Sequence, residues 1–528
     1  MTKFAPEFKL NVVVRITSVF LTLFIYCLST FAQVRPDSIF TDSISGNRMR
    51  LQVLSQTDTL VYVKPRPFLA LAEDLSINAL VVSFDYFIGD REWARVSKND
   101  IKRNFRLGWE WDDDSFSGNM FSHPYHGSMF YNAARANGMS YGISLLYPLI
   151  GSWSWEMFCE NNRPAVNDLF ATGIGGSAIG EVTHRASDLV FDNSKRGLER
   201  VFHELAGTLL NPVRGFKRFF SGEMLRYTPN SKGKRVEPQP YHFEIGIGNR
   251  YIAELSTHPE FDRKYYQNIP ALDMTLEYGD YFNAIDGGKT HPFDQFSVYA
   301  LMNLASQNPT FGILDISGRI FSRQVSGKKG WDFDYGFYQN YKYVEDYQKE
   351  GNLRSGFLPV ISEAASFGAG VYAEKNGKTP MSNLLMLSAV PLGSASADYY
   401  CSEKLSGIHD LFPEFKRKYN FGSGYSIREN FHARVNSNLT LGNRFYFMQI
   451  FTFNGYDPKH VVTHSNSVMG DKGYSISLTN TLYAHVNLSK NIKFKLEYMY
   501  YFRNGVYDYY ENLKGSSHEL KTTLSYSI

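Results

Sequence analysis

Two histidines, His123 and His126, flank a proline and precede a glycine in SHPYHGS, at the entry to a run with helical spacing. Pro124 biases His123 toward an extended conformation, and His126 with Gly127 opens the helix. Imidazoles titrate near neutral pH and ligate metals, so such a pair suits proton transfer or metal binding. Further along, Glu156 and Glu160 are four residues apart, and on a helix their carboxylates point the same way. Asp168 follows Pro164 at the start of the next helix. Glu156 sits inside the apolar WSWEMF, where an unpaired carboxylate is costly, so it needs a partner or a raised pKa. If the helix bearing Glu156 runs antiparallel to the one begun at Gly127, then His123, His126, Glu156 and Asp168 gather near one end of the hairpin. That is the minimum for general acid–base or metal chemistry. The competing reading makes the histidines helix-start or packing residues, Asp168 a first-turn residue and Glu160 a solvated charge. These four candidates specify no particular metal, and no cofactor is expected.

GIGGSAIGE is not a nucleotide loop, because no strand precedes it and no Lys-Ser/Thr follows. The spacing of Gly176 and Gly180 instead lets two helices approach closely. Glu181, His184, Arg185 and Asp188 then form one helical stripe of alternating charge, read as a salt-bridged face. Glu181-x-x-His184 is half of a di-iron motif without its second half. Arg200, His203, Glu204, Arg214 and Arg218 extend this polar character, as partners for those acids or for lipid headgroups.

The elements that must position these residues are of two kinds. Helical spacing with breaks at Asn137-Gly138 and Asn162-Arg163-Pro164 predicts about four helices between Gly127 and Phe220. From about residue 240 onward, apolar and polar residues alternate. Ile492, Phe494, Leu496, Tyr498, Tyr500 and Phe502 fall on one face, and Lys493, Lys495, Glu497 and Arg503 on the other. A face so charged does not fit a sandwich core, whereas it fits the lumen of a membrane barrel. About twelve such runs follow Tyr241. NALVVSFDYFIG and FRLGWEWDDD would raise the count to fourteen if they were strands, the alternative being a helix and a strand of a separate module. Counting back from the end, long connections (504–516, 456–472, 398–420) alternate with short ones (489–490, 441–443, 375–379), as between the outer and periplasmic rims of an outer-membrane barrel. The final HELKTTLSYSI resembles the terminal signal read by the barrel assembly machinery, with Ile528 in place of the usual aromatic residue.

Composition agrees. Of 528 residues 36 are Tyr and 41 Phe, an aromatic excess that suits the girdles of such barrels. A mean hydropathy of −0.31 is no objection, since every second strand residue is polar. Residues 1–32 read as an export signal, with Lys3, Lys9 and Arg15 before ITSVFLTLFIYCLSTFA and small residues at Thr30 and Ala32. Without them the formal charge falls from +3 to +1, which gives no footprint for nucleic acid. Cys159 and Cys401 then remain, too few for a disulfide framework. The expected organisation is a signal peptide over 1–32, an irregular periplasmic lead-in over 33–76, a mainly helical module over 77–220 and a barrel over 240–528.

WDDDSFSGNMFSHPYHG, YNAARANG, GSWSWEMFCENNRPAVNDLFATGIGG, GEVTHRASDLVFD and NPVRGFKR, in that order, resemble the N-terminal region of an uncharacterised domain-of-unknown-function family of Gram-negative envelope proteins. In that family a helical segment precedes a predicted barrel. The resemblance covers roughly residues 80 to 220 and implies an envelope location without an established activity. The chain is thus expected to be a mainly β protein, a transmembrane antiparallel β-barrel of about twelve strands with an N-terminal α-helical plug or periplasmic cap. Its expected home is the outer membrane, its partners that membrane's lipid and the assembly machinery. Three functions stay open: a pore or envelope scaffold gated by the helices, an enzyme modifying envelope lipid or cell wall, and a surface adhesin or assembly partner.

Overall fold

A computed structural model of the chain describes residues 61–528 apart from 230, 237–238, 257–264, 283–289, 306–307, 346–359, 376, 378, 400–418, 458 and 460–467. The signal-peptide reading of 1–32 and Cys401 lie outside the described residues, and Cys159 is unbridged.

Twelve antiparallel strands close into a barrel in simple sequential order, with β1 (Tyr241–Ser256) paired to β12 (Leu513–Ser527). Between them lie β2 (Tyr265–Tyr278), β3 (Phe296–Asn303), β4 (Phe311–Ser326), β5 (Trp331–Glu345), β6 (Val360–Lys375), β7 (Met381–Ser396), β8 (Tyr419–Arg434), β9 (Leu439–Thr452), β10 (Gly473–Asn487) and β11 (Ile492–Tyr507). The period-two faces sort inside out relative to a soluble core. Lys495, Glu497 and Arg503 are buried, while Phe494, Leu496 and Tyr498 are exposed. The two candidate extra strands are not strands: NALVVSFDYF belongs to a helix, and FRL ends another. The turn expected at 441–443 lies inside β9, because the polar Asn436-Ser437-Asn438 already reverses the chain at 435–438. Only five residues, 508–512, join β11 to β12, so that connection is shorter than expected.

Inward-facing charges reach across the lumen. Arg428 on β8 binds Asp315 on β4 (2.5 Å) and Glu363 on β6 (2.9 Å). Lys521 on β12 binds Asp273 on β2 (2.8 Å), and Glu497 joins it to Arg444 on β9. Arg444 also lies 5.7 Å from the ring of Tyr299 on β3, which is on the opposite wall. Tyr501 of β11 likewise meets Val344 of β5 in an apolar cluster.

Among the described residues nine helices precede the barrel: α1 (Pro67–Phe87), α2 (Lys98–Leu107), α3 (His123–Ala136), the single turn α4 (Tyr141–Ser144), α5 (Leu146–Phe158), the short α6 (Val166–Phe170), α7 (Gly176–Val190), α8 (Gly197–Leu210) and α9 (Pro212–Phe220). The first begins inside the stretch expected to be an irregular lead-in, where Pro67 supplies the preset φ of a first helical residue. Between Gly127 and Phe220 there are more helices than the four expected, because α4 and α6 are short turns that the spacing does not reveal.

The helical module expected before the barrel is present, and its helices lie against the barrel wall. They pack on barrel residues whose side chains alternate with the luminal ones, and so on the wall's outer face. On β5, Lys342 and Val344 face the lumen. Their neighbours Tyr341 and Tyr343 instead join a cluster with Phe116, Met120, Ile179 and Val182 of the helical module. Tyr419 and Phe421, which alternate with luminal Arg428's side of β8, belong to the same cluster, as do Tyr278 and Phe296. Polar ties support the contact: Asn119 Nδ2 donates to the Tyr419 hydroxyl (2.7 Å), Tyr141 to Gln339 (2.6 Å), Gln339 to Ser177 (2.8 Å), and Arg185 to the Pro292 carbonyl (2.6 Å). At Gly175 a β-carbon would come 2.7 Å from the Ala364 carbonyl, so the helix start lies directly on the wall. The physical reason is space and polarity. The lumen is already filled by its own ion pairs, and aromatic residues on the outer wall offer the apolar surface that helices can bury.

Candidate functional site

Three helix ends meet near the rim from which the longer connections leave. A π-helical turn (Gly118–Ser122) leads into α3 and sets His123 at its first position. Glu156 occupies the last turn of α5, and Asp168 lies in α6 after the loop 159–165. Close helix approach brings them together. A β-carbon on Gly127 would stand 2.0 Å from the Thr172 carbonyl, and one on Gly176 would stand 2.7 Å from Gly127 Cα. Gly180 lies against Tyr131 in the same contact, so both glycines singled out for helix packing sit between α3 and α7.

His123, Glu156 and Asp168 each present a ligand atom within 4.8 Å of the others. His123 Nε2 is 3.8 Å from Asp168 Oδ1. Asn167 Nδ2 donates to Asp168 Oδ1 (2.7 Å), and the Ala165 backbone N–H donates to Glu156 Oε2 (2.8 Å). Glu156 Oε1 is left without a hydrogen-bond partner although the residue is 1% exposed. His126, one turn along α3, is not in this group. Its ring lies edge-on to Trp155 with centroids 4.9 Å apart, near Phe130, and its Nε2 is buried without a partner. Both histidines line a cavity of about 860 Å³.

Sequence reasoning missed most of that cavity's acids. Seven acidic residues and one arginine, Arg91, are among the described residues lining it. Asp112, Asp113 and Asp114 come from the WDDD run, a visible signal that stands before the histidine motif. Glu160, weighed as a solvated charge, instead accepts from Trp155 Nε1 (2.6 Å). Burial pushes the Glu156 carboxyl well above the usual range, and Glu160 pushes it further. Asp168 is raised in the same way, by burial and then by Asp112. Glu160 is pushed up to about 7 by burial, against the hydrogen bond from Trp155. Burial lowers His126 to about 3, and it lowers His123 despite the pull of Asp112 and Asp114. Acids enclosed at this density are neutralised by protons or by a cation.

The charged stripe of α7 is a separate interior network. Glu181 pairs with Arg135 and Arg185 (2.8 Å each), Asp188 with Arg214 (2.5 Å), and Glu204 with Arg218 (2.6 Å). The module's surface is the reverse. Phe68, Leu80, Phe84, Phe87, Trp153 and Phe220 are exposed. The inner side of α1 carries buried Asp74 and Asn78, the latter donating to Ser154 Oγ (2.8 Å).

Residues 108–213 match the family described as Domain of unknown function (DUF3943). No curated protein matches the chain. Among solved structures the fold is similar to the COG4313 outer membrane channel from Pseudomonas putida F1, at 7% identity and a TM-score of 0.29 over 56% of this chain and 97% of that one. It is also similar to the NanC porin (11%, 0.24, 53% and 98%) and to the P. putida toluene transporter TodX (8%, 0.21, 55% and 90%). Likeness at this level says nothing of what this chain acts on.

Proposed function

We propose that this chain is an outer-membrane protein whose barrel carries, on its lipid-facing wall, a helical module that hydrolyses an ester bond of an envelope lipid. The observation that carries the reading is the convergence of His123, Glu156 and Asp168, with His123 lining the adjoining cavity, in a module whose surface exposes apolar side chains. Eleven strands have 14 to 16 residues, ample for a tilted span of the hydrocarbon layer. Beside them the 21 residues of α1 are apolar enough to cross a membrane and only 17% buried, and they extend about 30 Å. Of the three functions left open, this reading takes the second and gives the barrel the role of scaffold. Assembly then follows the ordinary route of a barrel with an apolar terminal strand.

In this reading the cavity carboxylate Glu160 takes a proton from water, the water oxygen attacks the ester carbonyl, and the same group returns the proton to the departing alkoxide. His126, held neutral, positions rather than carries charge. The test is mass spectrometry of outer-membrane lipid incubated with the detergent-purified protein. Release of a fatty acid is expected, with His123→Ala slowing it by about a hundredfold or more while heat-modifiable migration of the barrel is kept. No change in any lipid, or equal release by the variant, would sink the proposal.

A further inference from the structure

We infer that His123, Glu156 and Asp168 form a binding site for one divalent transition-metal ion. This inference deepens the lipid-hydrolase reading and names what neutralises the site. One imidazole and two carboxylates, supplied by three different helix ends, lie with ligand atoms within 4.8 Å of one another. Two ligands each about 2.1 Å from one tetrahedral ion stand about 3.4 Å apart, so binding asks the group to close by about 1.4 Å at most.

Glu156 Oε1 is an independent sign. It is buried with no donor, while its partner oxygen is held by the Ala165 N–H, so the carboxylate is fixed with one oxygen unspent. A carboxylate oxygen left unpaired beside an imidazole and a second carboxylate is satisfied by a cation. Asp168 is steadied in the same way by Asn167, the kind of outer support that ligating carboxylates have. The surroundings agree, because seven acids and one arginine line the adjoining cavity and attract a cation from the outside. They would also repel an anionic lipid unless a metal stood between. The mixed nitrogen and oxygen set favours zinc, manganese or iron over calcium, which takes oxygen ligands alone.

The purified full-length protein is stripped with chelator, dialysed, and titrated with Zn²⁺, Mn²⁺ and Ca²⁺ by calorimetry, with Co²⁺ added as an absorption probe. One equivalent of Zn²⁺ or Mn²⁺ is expected, with a Co²⁺ visible band. Affinity should fall at least tenfold in each of Glu156→Gln, Asp168→Asn and His123→Asn. Heat-modifiable migration and tryptophan emission identify variants that still fold, and His518→Asn, on β12 of the barrel and away from the ligand group, should bind like wild type. The inference is overturned if the stripped protein takes up none of these ions, or if well-folded ligand variants bind as wild type does. Binding without lipid release would overturn the hydrolase reading alone. Lipid release by a protein that takes up none of these ions would overturn the metal site alone.

Discussion

Glu181 shows what a single residue does in this module. Its carboxylate accepts from Arg135, Arg185 and the Tyr131 hydroxyl (2.8 Å), deep between α3 and α7. Burial alone would raise its pKa, but the two arginines overcome burial and hold it below the usual range. Asp188 behaves likewise against Arg214 and Lys234. A carboxylate whose pKa is lowered by folding adds stability above its unfolded value, about 4, and that stability is lost as pH falls through the lowered folded value. The helical module should therefore loosen below about pH 4, read as a red shift of tryptophan emission while the barrel keeps its heat-modifiable migration. Glu181→Gln leaves two buried guanidinium groups short of charge, a loss of about 3–5 kcal/mol, and should move that loosening to neutral pH. An unchanged emission profile in the variant would show that the network is not structural.

At the scale of elements, α1 carries the claim that the module meets lipid. Its exposed face holds Phe68, Leu75, Leu80 and Phe84, and its exposed Ser76 and Ser83 hydroxyls donate to the Ala72 and Ala79 carbonyls one turn back (2.7 and 2.5 Å). Neither serine hydroxyl therefore needs a solvent partner. Leu80→Lys should cost about 2.5–3.5 kcal/mol if this face lies in hydrocarbon, and should make the module protease-sensitive in membranes, whereas Leu80→Phe should not. Equal protection of the two variants would place the face in water. The sequence hides α1, since NALVVSFDYFIG is a mostly apolar run, and such runs suit a buried strand as well as a helix. The strands are plain by contrast, because each alternates between a charged lumen and an apolar outside for 14 residues or more in all but β3. The site is legible in part. His123, Glu156 and Asp168 are recognisable by type and by their places at helix ends, but their meeting depends on how closely α3 and the 171–175 turn approach at Gly127, which no local pattern records. For the same reason nothing local tells His123, which joins the carboxylates, from His126, which packs on Trp155.

The whole molecule joins a barrel with a bridged lumen to an occupied wall. Contacts such as Arg444 to Tyr299 and Arg428 to Asp315 join strands far apart around the ring, so the lumen is crossed at several levels by paired charges. In planar bilayers the protein should give no steady ohmic conductance, and a stable open channel from the wild type would show that these bridges yield.

In the proposed reading the same geometry predicts which leaflet the module serves. The connections 397–418 and 453–472 leave one rim, and the turns 327–330, 435–438 and 488–491 leave the other, which also carries one longer connection, 279–295. Trp111 and Phe116, which precede His123, pack on Phe421 and Tyr419 at the first rim (5.2 Å between rings in each pair), so the cavity opens at the long-connection end. In outer-membrane barrels long connections face outward and short turns face the periplasm. The cavity should then stand at the headgroups of the external leaflet, and its lipid would be drawn from there. Single cysteines in a background of Cys27→Ser, Cys159→Ser and Cys401→Ser make this testable. Ser117→Cys lines the cavity and Ser437→Cys lies in a short turn, both exposed. A membrane-impermeant maleimide applied to intact cells should label Ser117→Cys and reach Ser437→Cys only after the outer membrane is opened. The reverse pattern would turn the molecule over and move its lipid to the periplasmic leaflet.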